Sequence, residues 1–114
     1  MKECLFCKIA RGEIPAVIVY ENEDILAFRD ISPQAAKHVL IITKQHFEGL
    51  NDLDKATDTL LGNLLRAAKT AAQAEGIEKS GYRLVSNCGT DAQQSVSHLH
   101  FHVIGGQELS ERMA

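Results

Sequence analysis

The chain has 114 residues, 45% of them hydrophobic and 24% charged, with a formal net charge of −3. That length fits a single domain over residues 1–114 whose core needs no disulfides. Lys and Arg are scattered, so no basic face invites a nucleic-acid polymer, and no window approaches the roughly 18 apolar residues of a membrane span.

The first stretch, "MKECLFCKIARGEIP", carries charges throughout and no long apolar run, unlike a signal peptide. With three cysteines, Cys4, Cys7 and Cys88, the count is odd. Together these point to a reducing compartment, the cytoplasm. Residues 3–11 suit a short helix with Leu5, Phe6 and Ile9 on one side, which "GEIP" ends. "AVIVYE" at 16–21 is rich in β-branched residues and "ILAFRD" at 25–30 reads as its hairpin partner across the turn "NED". "ISPQAAK" is a loop, and the apolar run "HVLIIT" at 38–43 predicts a central strand buried on both faces.

From about Asp54 to Glu75, Leu53, Leu60, Leu61, Leu64, Leu65, Ala68, Ala71 and Ala72 recur at spacings of three and four, the period of an amphipathic helix. Asp52 or Asp54 is the expected cap, and Gly76 the stop. "YRLVSN" at 82–87 predicts a strand, "CGTDAQQ" a polar loop, and "SHLHFHVI" the last strand. Strands at hairpin spacing, interrupted by one long helix, make an antiparallel α+β fold.

The last strand holds three of the five histidines at every second position. Strand side chains alternate between faces, so His98, His100 and His102 share one face, about 6.5–7 Å apart along the strand, while Leu99, Phe101 and Val103 face a core. Three readings stand at this point. The rings could be a polar surface. They could be metal ligands, although no acidic pair sits at ligand spacing nearby. Or one could be a nucleophile helped by its neighbours. Neutral imidazole attacks through one nitrogen when a fixed acceptor holds the proton on the other. A second histidine and Ser95 could then donate to phosphoryl oxygens. There is no GxxxxGK loop, which excludes a P-loop nucleotide site.

The whole chain resembles the histidine triad (HIT) superfamily. "HLHFHVI" matches its signature, "CLFCKIARGEIPAVIVYENEDILAFRDISPQA" its N-terminal half, "HVLIITKQH" its central strand, and "GYRLVSNCGTDAQQSVSHLHFHVIGG" its C-terminal half. The short length and the "GG" after the triad are most similar to the Hint branch, and His102, where a related transferase branch has Gln, favours hydrolysis over transfer. The resemblance implies a five-stranded antiparallel sheet with one long and one short helix, and a homodimer that joins two sheets into one of ten strands. It also implies hydrolysis of purine nucleoside 5′-phosphoramidates through a nucleotidyl-histidine. A dinucleoside polyphosphate hydrolase, a metal-dependent hydrolase and a nucleotide-binding scaffold with vestigial catalysis are the alternatives.

By motif match, His100 is the nucleophile, His102 bonds the phosphate, Ser95 acts near the leaving group and His38 supports the nucleophile. Asp30 accepts the ribose hydroxyls; its plain alternative is a turn residue. Leu5, Phe6, Ile9, Phe28 and Ile31 make the base slot, with core packing as the alternative for each. Asn87, Gln93 and Gln94 lie where the family binds phosphate. "CLFC" alone is half a zinc site. In HIT proteins carrying this pair, the other ligands resemble His46 and His98, which implies a structural zinc on Cys4, Cys7, His46 and His98 and no cofactor for catalysis. Cys88 is structural. The chain departs from the Hint pattern at Ala92 and Gln93, where glycine is usual, at "AAKH", at Thr43, and in a short tail without tryptophan.

Overall fold

A computed structural model describes residues 4–112. Five strands form one sheet in the order β1 (Ile18–Glu21), β2 (Ile25–Arg29), β3 (Lys37–Thr43), β5 (His100–Gly105), β4 (Tyr82–Val85), and every neighbouring pair is antiparallel. Helix α1 (Leu5–Ala10) lies on one face and helix α2 (Asp58–Ala74) on the other. No helix among the described residues is long and apolar enough to cross a membrane.

Strand alternation sorts the sheet's side chains between these faces. Ile25, Ala27, Val39, Ile41 and Val103 pack under Leu64, Ala68, Ala71 and Ala72 of α2. Leu26, Phe28, Leu40 and Ile42 point the other way and pack with Phe6 of α1. β3 is buried along nearly its whole length, as its unbroken apolar run predicts.

The long helix differs at its start from the sequence expectation. Residues Leu50–Lys55 form a separate 3-10 turn, and α2 begins at Asp58. Its cap is neither Asp52 nor Asp54 but Thr57, whose hydroxyl accepts the Leu60 N–H at 3.1 Å. Asp52 instead accepts the Glu48 N–H. Leu53 therefore lies outside the helix, and Leu65 faces solvent. The expected stop holds. Gly76 takes a left-handed φ of 75°, its N–H reaches the Gln73 carbonyl, and the Ile77 N–H reaches Ala72, which closes the helix in a Schellman motif.

The last strand is also shorter than expected. It begins at His100, so His98 stands just ahead of it, although its ring stays on the same face near Phe6. Leu99 and Val103 are buried on the opposite face as predicted.

Candidate functional site

The sheet face under α1 carries the histidines, and each ring is held by a different partner. His100 Nδ1 lies 2.6 Å from the carbonyl oxygen of His98. A carbonyl only accepts, so Nδ1 carries the proton and Nε2 keeps its lone pair. This is the fixed acceptor that a nucleophilic imidazole needs. Phe6 meets the His100 ring edge-on, 5.0 Å between centroids, and fixes its plane.

His102 belongs to a second chain of bonds. The Gln34 backbone N–H donates to His38 Nδ1 at 3.0 Å. His38 must then be protonated on Nε2, which lies 2.8 Å from His102 Nδ1. His102 accepts there, so its own proton is on Nε2. Burial, and then His100 and His38, lower the pKa of His102 to about 4, and burial lowers that of His38. Both rings are neutral at pH 7, yet each has a directed N–H. His38 and His102 are 64 positions apart and meet because β3 and β5 pair with Leu40 opposite His102 and His38 opposite Ile104. His100 and His102 have centroids 5.2 Å apart, closer than the strand rise alone gives, because the rings lean together.

An apolar cavity of about 280 Å³ opens beside this pair. Leu5, Phe6, Ile9, Phe28 and Ile31 line it together with Asp30, Ser95, His100 and His102. Phe6 and Phe28 are buried and form its floor, so for them the core and the slot are the same thing. Ile31 is 97% exposed and Leu5 48%, so core packing does not account for either; they stand at the rim. Asp30 serves two purposes. Oδ1 accepts the Ser32 N–H at 2.7 Å, a local turn bond, and Oδ2 stands 3.5 Å from His38 Nε2 at the cavity wall.

Three expected residues sit differently. Asn87 lines a neighbouring cavity with Gln34, His38, Arg83 and His102. The Gln94 side chain does not point into the slot. Its Nε2 donates to the carbonyls of Glu48 and Val96, at 2.7 and 3.0 Å, and its Oε1 accepts the Gly89 N–H, so it clips the loop before β5 to the segment after His46. Gln93 has φ 62°, the one left-handed non-glycine residue among those described, at the position where glycine is usual in the Hint pattern.

The triad is not one metal site, because its first ring belongs elsewhere. His98 Nε2 lies 2.7 Å from the Thr43 carbonyl, which sets the proton there and leaves Nδ1 bare. That nitrogen faces Cys4 Sγ at 3.2 Å, Cys7 Sγ at 3.5 Å and His46 Nδ1 at 3.2 Å. His46 Nδ1 in turn lies 3.5 Å from Cys4 and 3.2 Å from Cys7. A tetrahedral zinc with ordinary Zn–N and Zn–S bonds requires N···N and N···S edges of about 3.3 and about 3.6 Å. The donor set is compatible with zinc in residue type and in spacing. The outer partners suit it too: Glu48 Oε1 receives His46 Nε2 at 3.2 Å, and Cys4 Sγ accepts the Cys7 N–H at 3.1 Å. Without a cation the Cys7 thiol is pushed up to about 11 by burial and by Cys4 beside it; a divalent ion reverses that preference.

Reasoning from sequence missed the groups that have no side-chain signal: the Gln34 amide and the carbonyls of Thr43 and His98. Leu40 was within reach, since it alternates with His38 and Ile42 on the slot side of β3.

An antiparallel α+β sheet that presents a tautomer-fixed imidazole pair over an apolar cleft defines a narrow class of proteins. Residues 3–114 match the family described as "Scavenger mRNA decapping enzyme C-term binding". The chain is 42% identical over 113 residues to the purine nucleoside phosphoramidase of Escherichia coli K12, covering 99% of this chain and 95% of that protein. It is 49% identical over 109 residues to the "14 kDa zinc-binding protein" of Zea mays, covering 93% and 84%. Among solved structures, a HIT family hydrolase from Legionella pneumophila Philadelphia 1 superposes with a TM-score of 0.91 at 51% identity, over 96% of this chain and 97% of that one. The chain belongs to the histidine triad family.

Proposed function

We propose that the protein hydrolyses purine nucleoside 5′-phosphoramidates to the nucleoside monophosphate and a free amine. The observation that carries this is the bond from His100 Nδ1 to the His98 carbonyl, which aims an unprotonated Nε2 at the cavity. The similarity to the E. coli phosphoramidase supports the substrate class.

The base lies between the Phe6–Phe28 floor and the Leu5, Ile9 and Ile31 rim, and Asp30 accepts from the ribose hydroxyls. His100 Nε2 attacks the phosphorus, the P–N bond breaks with its electron pair passing to the amine nitrogen, and the amine leaves near Ser95 with a proton taken from solvent. The His98 carbonyl holds the proton of the imidazolium that forms. His102 donates its Nε2–H to a phosphoryl oxygen and is kept in that tautomer by His38 and Gln34. Asn87, Gln93 and Gln94 act with the loop that holds the phosphate, Gln94 by fixing its shape. Water then attacks the nucleotidyl-histidine, gives up a proton as the bond to Nε2 breaks, and the monophosphate departs.

Cys4, Cys7, His46 and His98 would hold a zinc ion whose part is structural, since its ring ligand His98 presents only a backbone carbonyl to the nucleophile. No cofactor is needed for the chemistry. The bond between His38 and His102 uses the nitrogens that a metal at Asp30, His38 and His102 would require, which argues against the metal-dependent reading. The protein acts as a homodimer, the sheet extending to ten strands through an open edge, with a mass in solution of twice 12.5 kDa.

The test is turnover of adenosine 5′-phosphoramidate beside a diadenosine polyphosphate, each with and without a strong chelator. Preferential, chelator-resistant cleavage of the phosphoramidate is expected. Preference for the polyphosphate would assign the neighbouring branch, turnover of neither a scaffold, and abolition by brief chelation a metal-dependent mechanism.

A further inference from the structure

A groove leaves the nucleotide cavity on the side of the metal-ligand cluster. It shares Leu5, Ser95 and Val96 with that cavity and continues past Ser97 to Glu48. It includes neither His100 nor His102, nor the Phe6–Phe28 floor. A substrate whose phosphorus meets His100 and whose base fills the slot has one remaining part, the leaving group, and this groove is where the cavity stays open past Ser95.

The chemistry of the groove is one-sided. Beside Cys4 and His46 of the metal-ligand cluster, Glu48 is the only Asp, Glu, Lys or Arg lining it among the described residues. One carboxylate oxygen receives His46 Nε2 at 3.2 Å; the other has no partner among the described residues, and the side chain is 68% exposed. The Glu48 N–H is held by Asp52 Oδ2 at 2.9 Å, which fixes the backbone there. Gln94 fixes it again through the Glu48 carbonyl.

The competing exit is the cavity lined by Asn87 and Arg83. Like the groove it does not include His100, but it does include His102 and His38, and the 2.8 Å bond between those two rings stands in its wall. Its charge is opposite, since Arg83 is there, tied to the Ser110 carbonyl at 2.7 Å. The sign of charge preferred in the leaving group therefore tells the two exits apart.

We propose that the groove from Ser95 to Glu48 is the leaving-group subsite, and that Glu48 makes it select amines bearing a second positive charge. The proposal rests on the phosphoramidate reading given above. It is tested with three adenosine 5′-phosphoramidates whose leaving amines have equal length and end in an ammonium, a methyl or a carboxylate. An exposed ion pair of this kind raises kcat/KM for the ammonium substrate about threefold to fivefold over the methyl one, with the carboxylate lowest. The spread shrinks in about 0.5 M salt, where the screening length is only a few ångströms. Glu48→Gln, checked for metal content, narrows the spread towards one; the salt response of the unaltered protein gives the same information without the variant. A flat series overturns the proposal. So does a preference for the carboxylate, and if Arg83→Gln removes that preference the leaving group lies in the other cavity. Should no phosphoramidate be cleaved, the proposed reaction fails, and the groove is still decided by dissociation constants of analogues with P–CH2 in place of P–NH and the same three termini. Equal affinities would then overturn it.

Discussion

Gln34, His38 and His102 show how a neutral ring is given a direction. One backbone N–H fixes the tautomer of His38, and His38 fixes that of His102. The 15N spectrum of His102 is expected to show Nδ1 unprotonated and Nε2 protonated, without change from pH 8 to pH 5, because its pKa lies at about 4. A midpoint near 6.5 would contradict the relay. Ile31 offers a cleaner test of the slot. Its side chain is almost wholly exposed, so Ile31→Ala leaves the melting temperature unchanged while losing apolar contact with a bound base. Burial of such a side chain contributes about 1.5–3 kcal/mol; about a tenfold fall in kcat/KM is expected, mostly in KM. Gln93 is the reverse case. A left-handed backbone costs an ordinary L-residue about 1–2 kcal/mol, so Gln93→Gly raises stability by about 1 kcal/mol once glycine's extra freedom in the unfolded chain is set against it. A chemical melt checks this. The alternation of His98, His100 and His102 was legible because a strand has period two. The division of labour proposed for them came from the family resemblance alone; the two carbonyls and the ring from another strand that hold them differently carry no pattern in the sequence.

At the level of elements, the strands follow from alternation and β-branched runs, and the helix stop from Gly76. The start of α2 did not, because Asp52, Asp54 and Thr57 are all residue types that cap helices, and periodicity does not choose among them. The 3-10 turn carries Asp52 back to the Glu48 amide, which leaves Thr57 to begin the helix. One ion pair ties the far end of α2 to the sheet. Arg29 at the end of β2 donates Nε and Nη2 to the two oxygens of Glu75, at 2.8 and 2.9 Å. Glu75 is nearly buried and sits at a helix C-terminus, where a negative charge is unfavourable without such a partner. The Arg29 guanidinium holds the Glu75 carboxyl below its ordinary 4.5. A depressed carboxyl stabilises the fold above its unfolded pKa and loses that contribution as pH falls through the folded value. Glu75→Gln is therefore expected to cost about 1 kcal/mol at neutral pH, discounted because Arg29 is half exposed. In urea titrations the difference between the two proteins should narrow below the ordinary carboxyl value and close once pH has fallen through the lower folded one. A gap that persists there would place the effect in packing instead of charge.

For the molecule as a whole, the Cys4, Cys7, His46 and His98 cluster joins segments 42 and 94 positions apart. It holds α1, and α1 supplies Phe6, Ile9 and Leu5 to the slot. A six-residue helix has little stability of its own. Stripping the proposed zinc is thus expected to lower the melting temperature by about 10 °C or more and to raise KM. A melting temperature indifferent to metal would remove zinc from the structure's support. "CLFC" alone could not reveal this, since the two histidines that complete the set come from a loop and from the start of the triad. The sequence did set an expectation for the chemistry of its last strand, and one measurement tests that expectation directly. Protein mixed with adenosine 5′-phosphoramidate is quenched in acid within the first turnovers, digested and analysed by mass spectrometry under conditions that preserve phosphohistidine. An adenylyl group on His100, absent in His100→Ala together with turnover, is the predicted result. Turnover with no adduct, or an adduct on His98 or His102 instead, would contradict it.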